Sequence, residues 1–131
     1  MTENHQILLD SKTIAVVGAS PNPVRPSHWI SKYLMSEGYT VVPVNPDHNE
    51  LFGLKCYSDV ESIKSEIDIV NIFRRSDQVT PIVENSLKKT GIKLVWMQDN
   101  VYNEDAAQMV SDAEIAVVMN DCIYRVHNQI K

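Results

Sequence analysis

Residues 13–27 read Thr-Ile-Ala-Val-Val-Gly-Ala-Ser-Pro-Asn-Pro-Val-Arg-Pro-Ser. The first five are mostly β-branched, which is typical of a strand buried on both faces of a parallel sheet. Gly18 and the three prolines after it indicate a loop. Ser27 is a candidate N-cap for a helix from His28 to about Glu37, and Gly38 would end that helix. The stretch therefore predicts a strand, a loop and a helix in succession.

The same alternation continues along the chain. Further strands are predicted at 40–44, 67–73, 92–96 and 114–118. Helical patterns lie at about 78–89, 103–112 and 121–130, with a short turn of helix at 58–63. Right-handed crossovers then give a Rossmann-like, doubly wound α/β fold, a five-stranded parallel sheet in three α/β/α layers with strand order 3-2-1-4-5. Pro43 is unusual in the second strand, because proline cannot donate to a ladder and favours an edge.

Composition limits the possible partners. The 131 residues form one predicted domain, 1–131, in which 1–11 is an N-terminal extension or a short helix. The 12 Lys and Arg against 17 Asp and Glu disfavour binding to nucleic acid. No apolar run is long enough for a membrane helix, the start lacks a signal peptide, and two cysteines are too few for a disulfide scaffold. We expect a cytoplasmic, reduced domain with neither nucleic acid nor membrane as partner.

The first loop, 18–27, is a candidate phosphate site. Glycine lets a ligand approach the backbone, and the N-terminus of the following helix supplies free N–H groups. Ser20 and Ser27 can donate hydroxyls, and Arg25 can add charge. The loop matches neither G-x-G-x-x-G nor a P-loop, and the alternative is a plain strand–helix turn with Ser27 only as its cap.

Three further loops leave the same edge of the predicted sheet. Asn45, between two prolines, is either a ligand contact or part of an Asn-Pro turn. Arg74 and Arg75 follow the third strand, and guanidinium groups bind phosphate bidentately, so we expect one arginine at the ligand and one in solvent. After the fourth strand, Met97 offers apolar surface and Gln98 an amide.

The sequence offers no catalytic group that can be identified. It contains no His and Cys cluster with metal-ligand spacing and no G-x-S-x-G motif. Ser20 has no base that can be assigned to it. The chain therefore supplies parts for binding a ligand, and catalysis is not predicted.

An ordered set of residues resembles the small CoA-binding proteins, stand-alone versions of the CoA-binding domain of succinyl-CoA synthetase alpha subunits and ADP-forming acyl-CoA synthetases. The resemblance covers about 12–125 and is carried by Val16-Val17-Gly18-Ala19-Ser20, Pro23, Ser27, Tyr33-Leu34, Gly38-Tyr39, Pro43-Val44-Asn45-Pro46, Glu50, Gly53, Tyr57, Asp68-Ile69-Val70, Phe73-Arg74, Trp96-Met97-Gln98 and Asp121-Cys122. Where the family usually has glycine after Trp-x-Gln, this chain has Asp99-Asn100, and asparagine tolerates a left-handed backbone.

The resemblance implies a coenzyme A site along the carboxyl edge of the sheet. Its implied contacts are Gly18, Ala19 and Ser20 at the diphosphate, Arg25 and Ser27 at the helix start, Asn45 and Pro46 beside the adenosine or diphosphate, Phe73 and Arg74 along the nucleotide, and Met97 and Gln98 toward the pantetheine. It implies binding of CoA, an acyl-CoA or CoA disulfide, without catalysis by this chain alone.

Several alternatives stay open from the residues. The same edge could serve an NAD(P)-dependent oxidoreductase, although the acid that usually ends the second strand is absent at position 45. The chain could also be a subunit-like interaction domain of an acyl-CoA ligase-type complex, or form a homodimer. Cys122, expected on the ligand edge, could form a mixed disulfide with CoA; Cys56 is the alternative attachment point, and an inert buried thiol is the simpler interpretation.

Overall fold

Strands and helices alternate along the whole chain in the computed structural model, which describes residues 1–131. The strands are β1 (Thr13–Val17), β2 (Thr40–Val44), β3 (Glu50–Leu51), β4 (Leu54–Lys55), β5 (Ile69–Ile72), β6 (Leu94–Met97) and β7 (Ala116–Val118). The α-helices are α1 (Glu3–Asp10), α2 (Pro26–Ser36), α3 (Val79–Ser86), α4 (Glu104–Asp112) and α5 (Ile123–Ile130). A 3₁₀ turn, Ser76–Gln78, leads into α3.

The main sheet has the strand order β2-β1-β5-β6-β7, and every neighbouring pair in it is parallel. The expected Rossmann-like α/β fold with five parallel strands is confirmed. One strand differs in place from the expected order 3-2-1-4-5: β5, the third strand of this sheet along the chain, lies between β1 and β6 and not outside β2. The point at which the winding reverses is therefore between β1 and β5.

Pro43 explains why no strand is added outside β2. The Val44 carbonyl accepts a hydrogen bond from the Gly18 N–H, so Val44 faces β1. Pro43, one residue earlier, faces the other way, where it has no N–H to offer a further strand. Its carbonyl accepts one bond, from the Tyr57 N–H. β2 is therefore an edge strand, the position that its proline favours.

Apolar residues fill both faces of the sheet. One face carries Val17 and Ile72 and packs against α3, α4 and the connection at 58–67. The other carries Ile14 and Trp96 and packs against α1, α2 and α5. This arrangement gives the expected three α/β/α layers.

Several element ends differ from the expectations. α2 begins at Pro26 with Arg25 as its N-cap residue, so Ser27 lies inside the first turn and does not cap the helix. Proline suits this position, since the N–H groups of the first turn have no partner within the helix. The segment between the second predicted strand and residue 58 contains the antiparallel hairpin β3–β4, and the 58–63 segment, expected as a turn of helix, forms turns without a helix.

The N-terminal residues belong to the fold. Thr2 caps α1, with its hydroxyl accepting from the His5 N–H at 3.1 Å. Leu8 is fully buried on the α5 side of the sheet, and the Tyr39 hydroxyl donates to its carbonyl at 2.6 Å. None of the helices combines the length and the apolar character needed to cross a membrane.

Candidate functional site

A cavity of about 390 Å³ opens where the carboxyl ends of β1, β2 and β5 meet. Gly18, Pro46 and Arg74 line it from the sheet side, and α3 forms the opposite wall. Small-molecule sites typically have volumes of about 300–1,000 Å³. Ligands of doubly wound sheets bind at the switch point, and the cavity lies there.

Gly18 lets the first loop pass directly over the end of β5. Its φ of +88° is left-handed, a conformation that favours glycine. A Cβ at this position would lie 2.9 Å from the Phe73 carbonyl oxygen and 3.0 Å from Arg74 Cδ. The loop backbone and the Arg74 side chain are therefore in contact, and no larger residue fits between them.

The two arginines after β5 face different surroundings. Arg74 is half-buried, lines the cavity and has no hydrogen bond or ion pair within the protein. Arg75 is 76% exposed and its Nε lies 3.5 Å from an Asp77 carboxylate oxygen. Arg74 therefore presents an unpaired guanidinium to the cavity, while Arg75 points to solvent.

Asn45 uses both ends of its amide within the protein. Its Nδ2 donates to the carbonyl of Ala19 at 2.8 Å, and its Oδ1 accepts from the Asp47 N–H at 2.9 Å. The second bond is the Asn-Pro turn considered from the sequence, and the first ties the end of β2 to the first loop. Ala19 itself has no exposed surface.

The polar side chains of the first loop differ in how far they are exposed. Ser20 is half-buried, and its Oγ accepts from the Asn22 N–H at 3.1 Å. Ser27 is 5% exposed, and its carbonyl accepts from the Ser31 hydroxyl at 2.7 Å. Arg25 is exposed and its side chain makes no cap bond. Ser20 and Arg25 thus lie at the surface of the loop, and Ser27 lies beneath it.

Met97 and Gln98 are not among the residues that the structure brings to the cavity. Met97 is fully buried in the core. Gln98 is 3% exposed, and its Oε1 accepts from the Ile123 N–H at 3.0 Å, which supports the first turn of α5. Trp96 is a core aromatic and is 1% exposed.

The turn after Gln98 keeps the backbone that glycine would provide. Asn100 has φ +67°, and its N–H donates to Asn120 Oδ1 at 2.8 Å. The guanidinium of Arg125 binds Asp99 and Asp121, each at 2.9 Å. The expected tolerance of asparagine for this turn is confirmed, and the Arg125 ion pairs tie the turn to α5.

Both cysteines are nearly buried, each 6% exposed. Cys122 directly precedes α5, and its N–H donates to an Asp121 carboxylate oxygen at 2.8 Å. The Cys56 thiol lies 3.5 Å from the Asn45 carbonyl, and burial raises its pKa. Neither thiol is a freely accessible nucleophile.

The cavity wall opposite the sheet was missed from the sequence. It consists of residues from the 58–60 turn, the 3₁₀ turn and α3, namely Ser58, Asp59, Val60, Gln78, Pro81, Ile82 and Asn85. The Asn85 amide joins these parts, since it accepts from the Glu61 N–H and donates to Asp59. The expected strand order put β5 outside β2, so α3 was not expected beside the first loop. Pro43, which disfavours a further strand outside β2, was the residue that could have indicated the observed order.

A doubly wound sheet with a cavity, a glycine loop and an unpaired arginine at its switch point defines an α/β domain that binds its ligand at the carboxyl edge. No group of three or more His, Cys, Asp or Glu residues is placed to hold a metal ion. A family model described as CoA binding domain matches residues 12–128. The chain belongs to this CoA-binding domain family.

The chain is similar to proteins of two kinds, those of about its own length and much longer ligases. An uncharacterized protein, YneT of Bacillus subtilis, is 42% identical over 125 residues, which are 95% of this chain and 92% of YneT. The solved structure of a hypothetical protein from Pyrococcus horikoshii superimposes with a TM-score of 0.94 at 40% identity, covering 99% of this chain and 92% of that one. The ADP-forming acetate–CoA ligase of Methanocaldococcus jannaschii is 33% identical over 82 residues, 63% of this chain and 12% of the ligase. The resemblance to ADP-forming synthetases is confirmed.

Proposed function

We propose that this protein binds coenzyme A, or a thioester or disulfide of it, at the carboxyl edge of the sheet, and is not catalytic by itself. Arg74 carries the proposal: its guanidinium has no protein partner, its side chain lines the cavity, and its Cδ packs beside Gly18. Coenzyme A carries several phosphate charges, which a protein with a net charge of −5 must meet with local positive groups. Membership in a CoA-binding domain family supports coenzyme A as the ligand.

The proposed pose follows the edge from the cavity to β6. The diphosphate lies over Gly18 and Ser20, near the N-terminus of α2, where the Ser27 N–H donates to no group of the protein. The adenosine enters the cavity between Pro46 and α3, and the pantetheine runs across the ends of β5 and β6. Arg74 neutralises phosphate charge between these parts.

The absence of catalysis is supported by the surroundings of Ser20. A serine nucleophile needs a base that takes its proton. The nearest histidine contact, His28 Nδ1, is to the Ser20 carbonyl at 2.8 Å, while the hydroxyl accepts from Asn22. Nothing around the loop activates this hydroxyl.

Calorimetric titration with CoA and acetyl-CoA tests the proposal directly. Arg74→Ala is expected to weaken CoA binding by at least about tenfold, since a hydrogen bond to a charged group contributes about 1.5–3 kcal/mol. The matched control is Arg75→Ala, which removes an equal charge that faces solvent and changes the dissociation constant by no more than about twofold. Equal losses in the two variants would show that general charge, and not the cavity arginine, attracts the ligand.

Native mass spectrometry of freshly purified protein, followed by denaturing mass measurement, identifies what the protein retains. A released species with the mass of CoA supports the proposal, and the same spectrum reports whether a homodimer forms. A protein that ignores CoA and takes up NAD(P) would replace the proposal with the oxidoreductase alternative.

The thiol adduct at Cys122 stays a separate prediction. In that reaction the Cys122 thiolate attacks CoA disulfide, a mixed disulfide forms, and one CoA thiolate leaves. The burial of Cys122 opposes access of CoA disulfide to its sulfur. Intact mass after treatment with CoA disulfide tests this: an adduct that survives in Cys122→Ser, or no adduct in the unaltered chain, overturns the assignment.

A further inference from the structure

A loop that binds phosphate through its backbone has to turn its N–H groups toward the ligand and its carbonyls away from it. Carbonyl oxygens carry partial negative charge and repel phosphate oxygens, so the direction of each peptide unit matters. In the first loop the Ala19–Ser20 and Ser20–Pro21 peptide units decide this. The first carries the Ser20 N–H, and the second has only a carbonyl, because its nitrogen belongs to Pro21.

Both carbonyls are occupied by side-chain donors. The Ala19 carbonyl accepts from Asn45 Nδ2, and the Ser20 carbonyl lies 2.8 Å from His28 Nδ1. A carbonyl can only accept, so the His28 ring carries its proton on Nδ1 in this contact. The N–H of Ser20 donates to no group of the protein. At Ser20 the acceptor is therefore used and the donor is free.

The His28 ring is held from the other side by the β3–β4 hairpin. The ring of Phe52 meets it edge to face, with centroids 5.1 Å apart and an interplanar angle of 79°. Lys32, one turn further along α2, places its Nζ 5.6 Å from the centre of the Phe52 ring. Phe52 has φ +59°, which is costly for a bulky residue and persists where surrounding contacts hold it. The hairpin tip thus fixes the ring that contacts the loop.

We infer that His28 is a positioning residue for phosphate binding: its Nδ1–H occupies the Ser20 carbonyl and keeps this oxygen from facing a phosphate bound at the loop. Asn45 holds the carbonyl of Ala19, whose peptide unit carries the Ser20 N–H, so this N–H stays free for a phosphate oxygen. This role rests on the proposed function, and it belongs to a side chain that does not itself touch the ligand. Neither the family resemblance nor a sequence motif singles out this histidine.

Three variants separate the hydrogen bond from the packing of the ring. His28→Phe keeps an aromatic ring against Phe52 and removes the donor. His28→Asn removes the ring and places an amide donor at the position of Nδ1. His5→Phe, in α1, is the control for loss of a histidine outside the loop. The readout is the dissociation constant for CoA and for ADP, with thermal unfolding of each variant alongside.

We expect His28→Phe to weaken both ligands by about tenfold, the effect of one well-placed hydrogen bond, and His28→Asn to stay within about twofold of the unaltered protein. His5→Phe should bind as the unaltered chain does. If His28→Phe binds normally and His28→Asn does not, the ring acts through packing alone and the positioning role is overturned.

Nitrogen-15 NMR of the imidazole gives a readout that needs no ligand. Protonation at Nδ1 of His28 in the free protein is expected, and the Nε2–H tautomer would overturn the inference even where CoA binds. If the unaltered protein binds neither CoA nor ADP, the proposed function fails by itself, and the tautomer then decides whether the contact to Ser20 exists.

Discussion

Gly18 is the residue at which the requirements of the fold and of the proposed site coincide. Gly18→Ala should lower the free energy of unfolding by about 1–2 kcal/mol for its left-handed backbone, and further because the new Cβ meets the Phe73 carbonyl at 2.9 Å. Gly38→Ala has a similar φ, +95°, and no atom within 4 Å of the new Cβ. Urea denaturation of both variants isolates the steric part, and equal losses would show that the loop moves aside without cost.

Asn71 is a buried polar residue whose replacement should change the stability of the protein. It lies in β5 in the middle of the sheet, is fully buried, and neither atom of its amide has a hydrogen-bond partner. A buried polar group without partners costs about 1–3 kcal/mol, so Asn71→Leu, of similar shape, should raise the free energy of unfolding by up to that amount. A loss of stability in urea denaturation would reveal that the amide has a partner after all.

At the scale of elements, Gln98 joins β6 to α5. Gln98→Leu leaves the Ile123 N–H without its acceptor, which should lower the free energy of unfolding by about 1–3 kcal/mol. Gln108→Leu removes an exposed glutamine that bonds Asp112 within α4, and it should change the stability by less than about 0.5 kcal/mol. Urea midpoints compare the two, and similar losses would remove the special role of Gln98.

Elements could be predicted from the sequence better than their arrangement. Apolar runs and glycine stops identified the five strands of the main sheet, because periodicity is local. Strand order depends on contacts distant in sequence, such as the Asp68 carboxylate accepting from the Lys12 and Thr13 N–H groups, which holds the start of β5 beside β1. No local pattern encodes such a contact. The proline in β2 was the one local residue that bore on it.

For the candidate site, too, the position of a residue along the chain was easier to predict than the burial of its side chain. Gly18 follows β1 and Arg74 lies two residues beyond β5, so the rule that ligands bind at the carboxyl edge pointed to both residues, and both line the cavity. Met97 and Gln98 satisfy the same rule and are nevertheless buried. Their side chains were assigned by position, whereas burial is decided by how α5 packs over the end of β6.

For the whole molecule, acid should be destabilising. Burial lowers the pKa of His127 below its ordinary value of 6.5, and this outweighs the effect of Glu37, whose carboxylate lies 3.8 Å away. As the pH falls through 6.5, the unfolded chain takes up a proton that the folded chain takes up only at lower pH. The free energy of unfolding should therefore decrease as the pH falls from about 7.5 through this window.

His127→Phe provides the control for this pH dependence. It keeps an aromatic ring between Tyr33 and Tyr39, and the Tyr33 hydroxyl can still bond Glu37. Urea denaturation at a series of pH values should give a flatter profile between pH 7.5 and 5 for this variant. An unchanged slope would assign the acid sensitivity to other groups. Burial raises the pKa of Asp68, but its hydrogen bonds from the backbone and its contact with Lys93 outweigh this, so the pKa lies below its ordinary value. Loss of stability from protonating Asp68 is therefore expected at lower pH than that from His127.

Pro43 also limits how far copies of this chain can assemble through their sheets. β7 pairs only with β6, so one edge of the sheet can accept another strand, whereas β2 has no N–H at Pro43 to continue the ladder. Two copies joined at their β7 edges would make one ten-stranded sheet with a β2 edge at each end. Growth by sheet extension would stop there, as a closed pair and not as a fibre.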